Sequence, residues 1–451
     1  ESVVLSILSL TLAVLMLEFV KPMAFVQKWL INGVIWDWQL WSVFIAFSII
    51  TGLLAGLIPA KVLSAFQPSE VLRSQSGIKI TRGISLRKTL IVLQFSISLI
   101  ALTTLLTVMR QQNYMANGDY GFRTNGVLNI PLNDVPFPRI SNEISALTGV
   151  EVVSGTSLLF GHHGSTEKIK LSRTGPDSSF AFTVSVAPKF VSTLNLSLLA
   201  GKDLSPDYQD SPFILINEEA VRKFKLGNNE EAVGKTLWLN DSTQIQIAGV
   251  VQDFRFTSFN WKIMPLIMRK KPSALRFLQV SVTPGSENKV ESDIIEIWKR
   301  LKPYEPFEGQ WYGDFLHSRH AHIEDIQFMG FLLAISFSIA CLGLLGMVTY
   351  DTQTRIKEVG VRKIMGADVG QIIWLLSKEF VMLLTLSAVI SIPIGFMAAN
   401  AFLTNFAYHV TIGFETIGLC FGVLFVLGYI IISTRTYKTA TNNPVNALRN
   451  E

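Results

Sequence analysis

Side chains suited to catalysis or ligand binding occur in three places. Gly234-Lys235-Thr236 has the ending of a phosphate-binding loop, in which backbone N–H groups and a lysine cradle a nucleotide. The first glycine of that pattern belongs at position 229, where the residue is Asn229, and Leu237-Trp238-Leu239 continues as a strand instead of the helix such a loop opens. It is not a nucleotide site. His317, His320 and His322 cluster ahead of a long apolar run. Cysteine ligands that would strengthen a metal reading are missing nearby, so a polar stalk at the membrane surface is the simpler account, with no metal. His162-His163, set between glycines, reads as an exposed loop and not as a catalytic base. No Ser/His/Asp spacing stands out. No cofactor is implied, and the sequence points away from an enzyme.

The stretch Thr354-Arg-Ile-Lys-Glu-Val-Gly-Val-Arg-Lys-Ile-Met-Gly-Ala-Asp368 suggests a mechanical task. It is wedged between two long apolar runs and is dense in charge: Arg355, Lys357, Glu358, Arg362, Lys363 and Asp368. Ile356, Val359, Lys363 and Ile364 fall at helical spacing, which predicts a helix with an apolar edge and a basic edge. Lipid on both sides keeps it out of any soluble core. It is either a positive loop that fixes topology or a short amphipathic helix against which a soluble partner pushes.

Composition sets the frame for that stretch. Of 451 residues, 49% are apolar and only 16% charged, and the mean hydropathy is +0.38. That is too apolar for an ordinary soluble protein and indicates several membrane spans. The net charge of +5 needs no nucleic-acid partner, because a membrane protein that keeps Lys and Arg on its cytoplasmic side reaches the same balance. Cys341 and Cys420 both lie in apolar runs and pack as small hydrophobes. The chain opens at Glu1, already inside an apolar run, and reads as a piece of a longer polypeptide.

Six spans are expected: Val3 to Phe19, Trp41 to Pro59, Leu90 to Met109, Phe328 to Tyr350, Trp374 to Ala401 and Ile417 to Ser433. Each has about the ~20 residues a bilayer crossing needs. The second contains Gly52-Leu-Leu-Ala-Gly56, whose small residues let two helices approach, and Pro393 is expected to kink the fifth. Residues 22–40 read as a short loop that, with Trp29, Trp36, Trp38 and the adjoining Trp41, carries an aromatic belt. Linker 61–88, stretch 351–378 and the tail from Arg435 are rich in Lys and Arg, whereas loop 403–415 has none. The positive-inside rule puts the former in the cytoplasm, and alternation puts 111–322 outside. Sparse charge within the spans argues against a proton relay or a charged-ring channel.

Residues 111–322 alternate strand-like runs (Phe213–Asn217, Thr243–Val251, Phe277–Val282) with helix-like ones (Glu218–Phe224, Asn288–Leu301), punctuated by turn signals such as Ser205-Pro206, Asn240-Asp241 and Pro284-Gly285. The expected class is therefore membrane α-helical, with about six transmembrane helices and one large extracytoplasmic α+β domain. Pro68-Ser-Glu-Val-Leu-Arg73 and Pro444-Val-Asn-Ala-Leu-Arg449 answer each other, and the same offset pairs Gly52 with Gly428. The first two spans thus read as partners of the last two, the mark of internal duplication.

Several motifs resemble the FtsX-like/MacB-type permease family of ABC transporters, in the long two-unit form of Bacteroidetes. The most specific is Arg355-Ile-Lys-Glu-Val-Gly-Val-Arg-Lys-Ile-Met-Gly-Ala367, which departs from the family pattern only in Val359 and Val361 for Ile. Others are Asn217-Glu-Glu-Ala with Ile247–Phe254, Asn443–Arg449, and Leu86-Arg-Lys with Leu93–Ser98. The resemblance implies residues 1–60 as the last helices of a truncated first unit and 61–87 as a basic cytoplasmic linker. It further implies a helix over 88–110, a periplasmic core domain over 111–322, and an FtsX-like domain over 323–451 with a coupling segment at 352–372. The implied protein is a non-catalytic, multi-pass permease of the inner membrane. It docks a separate ABC ATPase, where ATP binds, through Arg355, Lys357, Glu358, Arg362, Lys363, Gly366 and Ala367. Motion of its periplasmic domain would drive efflux or release of an antibiotic, peptide or lipoprotein, with a periplasmic adaptor and an outer-membrane channel as further partners. The alternative from the same motifs is a transmembrane signalling scaffold that regulates a cell-wall hydrolase or senses a peptide, without transport.

Overall fold

A computed structural model describes residues 1–64, 86–161, 164–173, 178–205, 210–239, 243–321 and 323–441. Most of the basic linker, the Pro68–Arg73 and Pro444–Arg449 repeat, the Asn443–Arg449 signature, His162-His163, His322, and the turns at Ser205-Pro206 and Asn240-Asp241 fall wholly or partly outside the described residues. The chain divides into two units. One comprises Glu1–Met109, Ile323–Asn400 and Ile412–Glu451, the other Arg110–His322 and Ala401–Thr411.

In lipid a backbone must satisfy its own hydrogen bonds, so long apolar runs fold as helices. Six described helices are long and apolar enough to cross a membrane. They lie within Ser2–Val20, Trp38–Ser64, Leu86–Asn117, Ile323–Thr354, Val369–Leu403 and Phe414–Thr441. The fifth runs as helix through Pro393 without a break. No residue of the first span is buried, leaving its apolar surface for lipid. Phe95, Ala340, Leu344, Phe380 and Ile432 join the third, fourth, fifth and sixth spans in one core.

Residues 22–40 do more than connect the first two spans. Ala24–Val26 and a π-turn at Gln27–Ile31 pack on the start of the fourth span. The Trp29 ring stacks on Phe328 at 5.6 Å, and Phe25 meets Phe331. Lys28 Nζ pairs with Asp325 at 2.7 Å and Glu324 at 3.2 Å. Its hydrogen bond to Asp325, outweighing desolvation, raises the lysine pKa. The sequence reads this segment as a plain loop, because its partners are some three hundred positions away.

The other unit is built on an 11-stranded sheet. Strands β1 (Val127–Pro131), β2 (Val150–Thr156), β10 (Phe277–Val282) and β11 (Gln310–Trp311) form one antiparallel part. Helices Phe137–Ser145 and Glu287–Leu301 cover it, burying Ile140, Ile144, Ile294 and Trp298. Strands β3 (Thr166–Lys170), β4 (Ser178–Val186), β6 (Phe213–Asn217), β7 (Thr236–Leu239), β8 (Thr243–Val251) and β9 (Leu266–Lys270) form the other, and β5 (Leu198–Gly201) pairs with β8. The pairings β4–β3–β7–β8–β6–β9 return to β4 through a parallel β9–β4 ladder, closing a ring of six strands. Side chains alternate along a strand. One set, including Ile169, Ala181, Ile214, Leu237, Ile245 and Ile267, meets inside the ring. The opposite faces of β4 and β9 carry Phe182, Val184 and Met268 into an aromatic core with Phe122, Phe160 and Phe254.

Candidate functional site

The charged stretch between the fourth and fifth spans folds as the nine-residue helix Ile356–Ile364. The fourth span ends at Thr354, and Arg355 takes the N-cap position with φ −98° and ψ 11°, so the chain turns there. Glu358 in the first turn and Arg362 and Lys363 in the last complement the helix dipole. Glu358 and Arg362 also pair across one turn at 2.9 Å.

The far end is a Schellman stop. Gly366 N–H donates to Lys363 C=O at 3.2 Å and Ala367 N–H to Arg362 C=O at 3.0 Å. Gly366 has φ +90°, a conformation that an L side chain strains to adopt. Asp368 then starts the fifth helix, its carboxylate accepting from Gly370 N–H at 2.9 Å. Gly366 and Ala367 of the charged stretch thus form the corner itself.

Val359 is the anchor of this helix, buried against Ile372 and Leu376 of the fifth span. The expected apolar edge is corrected at one position: Ile356 and Lys363 are half-buried, but Ile364 is 64% exposed. At about 100° per residue Ile364 lies roughly 140° around the helix from the buried Val359, off the packed face. The opposite face presents Glu358, Val361, Arg362 and Met365, spaced at i, i+3, i+4 and i+7, all solvent-exposed. Among them Met365 is 80% exposed. The side chain of Lys357 is outside the described set.

Glu379 on the fifth span was not singled out by the sequence. It accepts a hydrogen bond from Arg355 at 3.2 Å and ion-pairs with Lys88 at the entry of the third span. This one carboxylate therefore ties the turn before the short helix to two spans. The only available signal was an acidic residue inside an apolar run, which in a membrane seeks a partner.

The small residues of the second span meet the first. A Cβ added at Gly52 would lie 2.7 Å from Val3 Cα, and one at Gly56 would lie 3.0 Å from Ser2 Oγ. Ser6 Oγ donates to Ser48 C=O at 2.7 Å beside them. At Gly428, by contrast, the nearest atom is Leu384 Cδ1, the end of a flexible side chain. The backbone approach at Gly52 is not reproduced at its counterpart.

The other candidate residues serve structure. Thr236–Leu239 is a strand, and Lys235 Nζ donates to Leu226 C=O at 2.7 Å. His317 is exposed, but His320 is buried and stacks on Tyr120 with ring centroids 6.3 Å apart, so it is no polar stalk. No group of three or more potential metal ligands occurs among the described residues. Asn217 and the Gln252-Asp253-Phe254 motif come together: Asn217 Nδ2 donates to Asp253 Oδ1 at 2.8 Å and its Oδ1 accepts from Ala220 and Leu266 N–H groups.

Residues 330–444 match the family described as FtsX-like permease C-terminal. The chain is 22% identical over 325 residues to the ABC transporter permease YknZ of Bacillus subtilis (strain 168), covering 69% of this chain and 79% of that protein. Among solved structures, the periplasmic region of MacB from Actinobacillus actinomycetemcomitans is 16% identical with a TM-score of 0.33, covering 44% of this chain and 94% of that one. The extracellular domain of the noncanonic ABC-type transporter YknZ from Gram-positive bacteria is 9% identical with a TM-score of 0.30, covering 41% and 97%.

Proposed function

We propose that this chain, which matches the FtsX-like permease family over residues 330–444 and is similar to an ABC transporter permease over 325 residues, is a permease that a separate ATPase subunit drives by pushing on the helix Ile356–Ile364. The transmitted motion would reach the 110–322 domain outside the inner membrane and extrude or release a periplasmic substrate. An adaptor and an outer-membrane channel would complete the route.

The observation that carries this reading is the two-sidedness of the short helix. Val359 fastens it to the fifth span, Arg355 and Glu379 fasten its start, and a face of two charged and two apolar side chains is left to a partner. Exposed methionine and valine next to Glu358 and Arg362 suit a protein surface better than lipid headgroups, since apolar contact supplies affinity and the charges fix register. Only contacts that differ between open and closed ATPase shift the permease. A decisive shift of a two-state equilibrium takes ~5 kcal/mol, within reach of ATP hydrolysis.

The test is charge reversal with Arg362→Glu and Lys363→Glu in the intact chain, reconstituted with its ATPase. Substrate-stimulated ATP hydrolysis is expected to disappear while membrane insertion stays at the parent level. Undiminished stimulation in the double variant would remove the assignment.

A further inference from the structure

A cavity of about 1270 Å³ opens in the extracytoplasmic unit, lined by the ends of β1 and β10 and by β3, β4 and β9. It exceeds the ~300–1,000 Å³ of ordinary small-molecule pockets. Register explains its chemistry. Inside the strand ring Ile169, Ala181 and Ile267 are apolar, but two positions further along the same faces the residues are Glu167, Thr183 and Arg269. One end of the ring is thus polar where it meets the cavity. Three shielded atoms there find no hydrogen-bond partner among the described residues: Glu167 Oε2, Thr183 Oγ1 and Arg269 Nε. Buried polar atoms are normally paired, so three together mark a place for something that donates and accepts. Lys271 and Arg276 stand exposed on the rim, and half-buried Leu158 and Phe277 supply an apolar wall.

We propose that this cleft binds a short peptide. Its free carboxylate faces Arg269 and the basic rim, its N–H groups face Glu167 and Thr183, and its apolar side chains lie on Leu158 and Phe277. A simple anion would leave Glu167 unpaired beside it. A purely apolar compound would leave all three atoms unpaired. A peptide carries donors, acceptors and apolar groups at close intervals, and a guanidinium is the natural partner of its carboxylate. The assignment names the substrate class of the transport reading and rests on it, but binding is measured without ATPase activity.

The experiment is equilibrium dialysis of the full chain in lipid nanodiscs against a randomised tetrapeptide pool with free termini, with retained peptides identified by mass. Saturable retention of a subset is expected, at least tenfold weaker for the C-terminally amidated pool and for Arg269→Met. Because Arg269 sits in the closed ring, Arg276→Glu on the exposed rim is the second variant, expected to lower retention severalfold in a folded protein. Retention unchanged by both substitutions, equal retention of the amidated pool, or no saturable retention by the parent overturns the proposal. Normal retention in the Arg362→Glu, Lys363→Glu double variant, after its ATPase response is lost, supports it and separates the site from the coupling helix.

Discussion

Asn217 is fully buried and uses both ends of its amide: two donors go to Asp253 and Met264 C=O, and its oxygen takes the N–H groups of Ala220 and Leu266. Asp253 in turn holds Glu219 N–H and Arg222, which sits opposite Glu219 as well. The two motifs that mark this domain in the sequence are therefore the two halves of one knot. Their similarity to a family was legible, but their reason, a structural one, was not. Asn217→Ala leaves several buried groups unpaired and is expected to cost about 3 kcal/mol, read as a lowered unfolding midpoint of the solubilised chain. A shift of less than a few degrees would show that the knot is dispensable. Glu151 shows the same logic with charge. The hydrogen bond from Arg123 at 2.6 Å, with a second from Ser281, lowers its carboxyl pKa below the ordinary value. The folded chain then holds the charge to lower pH than the unfolded chain. The contribution is complete above the ordinary carboxylate pKa and is lost as pH falls through the lowered folded value. Since the pair is about a third exposed, Glu151→Gln is expected to remove ~1 kcal/mol or less at neutral pH. That deficit should vanish in acid; a deficit independent of pH would assign the effect to packing.

At the scale of elements, the spans and the strands Phe213–Asn217, Thr243–Val251 and Phe277–Val282 were readable because hydropathy and alternation are local properties. The closure of the ring was not, because a parallel β4–β9 pair is fixed by contact between distant segments. The segment Ala401–Thr411 was equally hidden. It reads as a connecting loop, yet it packs with the extracytoplasmic unit, Tyr408 N–H donating to Phe259 C=O at 3.1 Å and Gln111 holding Tyr408 C=O and Val410 N–H, each at 3.0 Å. The corner after the helix Ile356–Ile364 lies between these cases: Gly366 announces a turn, but only the structure gives its form. With φ +90° and the Schellman hydrogen bonds at this position, Gly366→Val is expected to strain the corner by ~1–3 kcal/mol. Gly366→Asn, which tolerates positive φ, should be accepted. Substrate-stimulated ATPase activity should fall in the valine variant and survive in the asparagine one. Equal activity in both would mean that the corner does not hold the coupling face in place.

For the whole molecule the decisive quantity is the distribution of positive charge between the two sides of the membrane, because it sets which end a soluble ATPase can reach. Lys and Arg concentrate near Ile356–Ile364 and after Arg435, while the segment from Thr404 to Thr416 has neither. Under the positive-inside rule this puts the helix Ile356–Ile364 in the cytoplasm and the 110–322 unit outside. The single outward-facing lysine of residues 22–40 fits that asymmetry, since Lys28 is matched by Asp325 and Glu324. Two highly exposed positions allow a direct measurement: Tyr304 is 99% exposed in the outer unit, and Met365 is 80% exposed on the face proposed for coupling. In spheroplasts, Tyr304→Cys is expected to react with a membrane-impermeant maleimide, and Met365→Cys only after lysis. The parent protein, whose Cys341 and Cys420 lie within spans, supplies the background. Met365→Cys labelled in sealed spheroplasts would place the coupling face on the side where no ATPase resides, and the proposed drive would have nothing to act through.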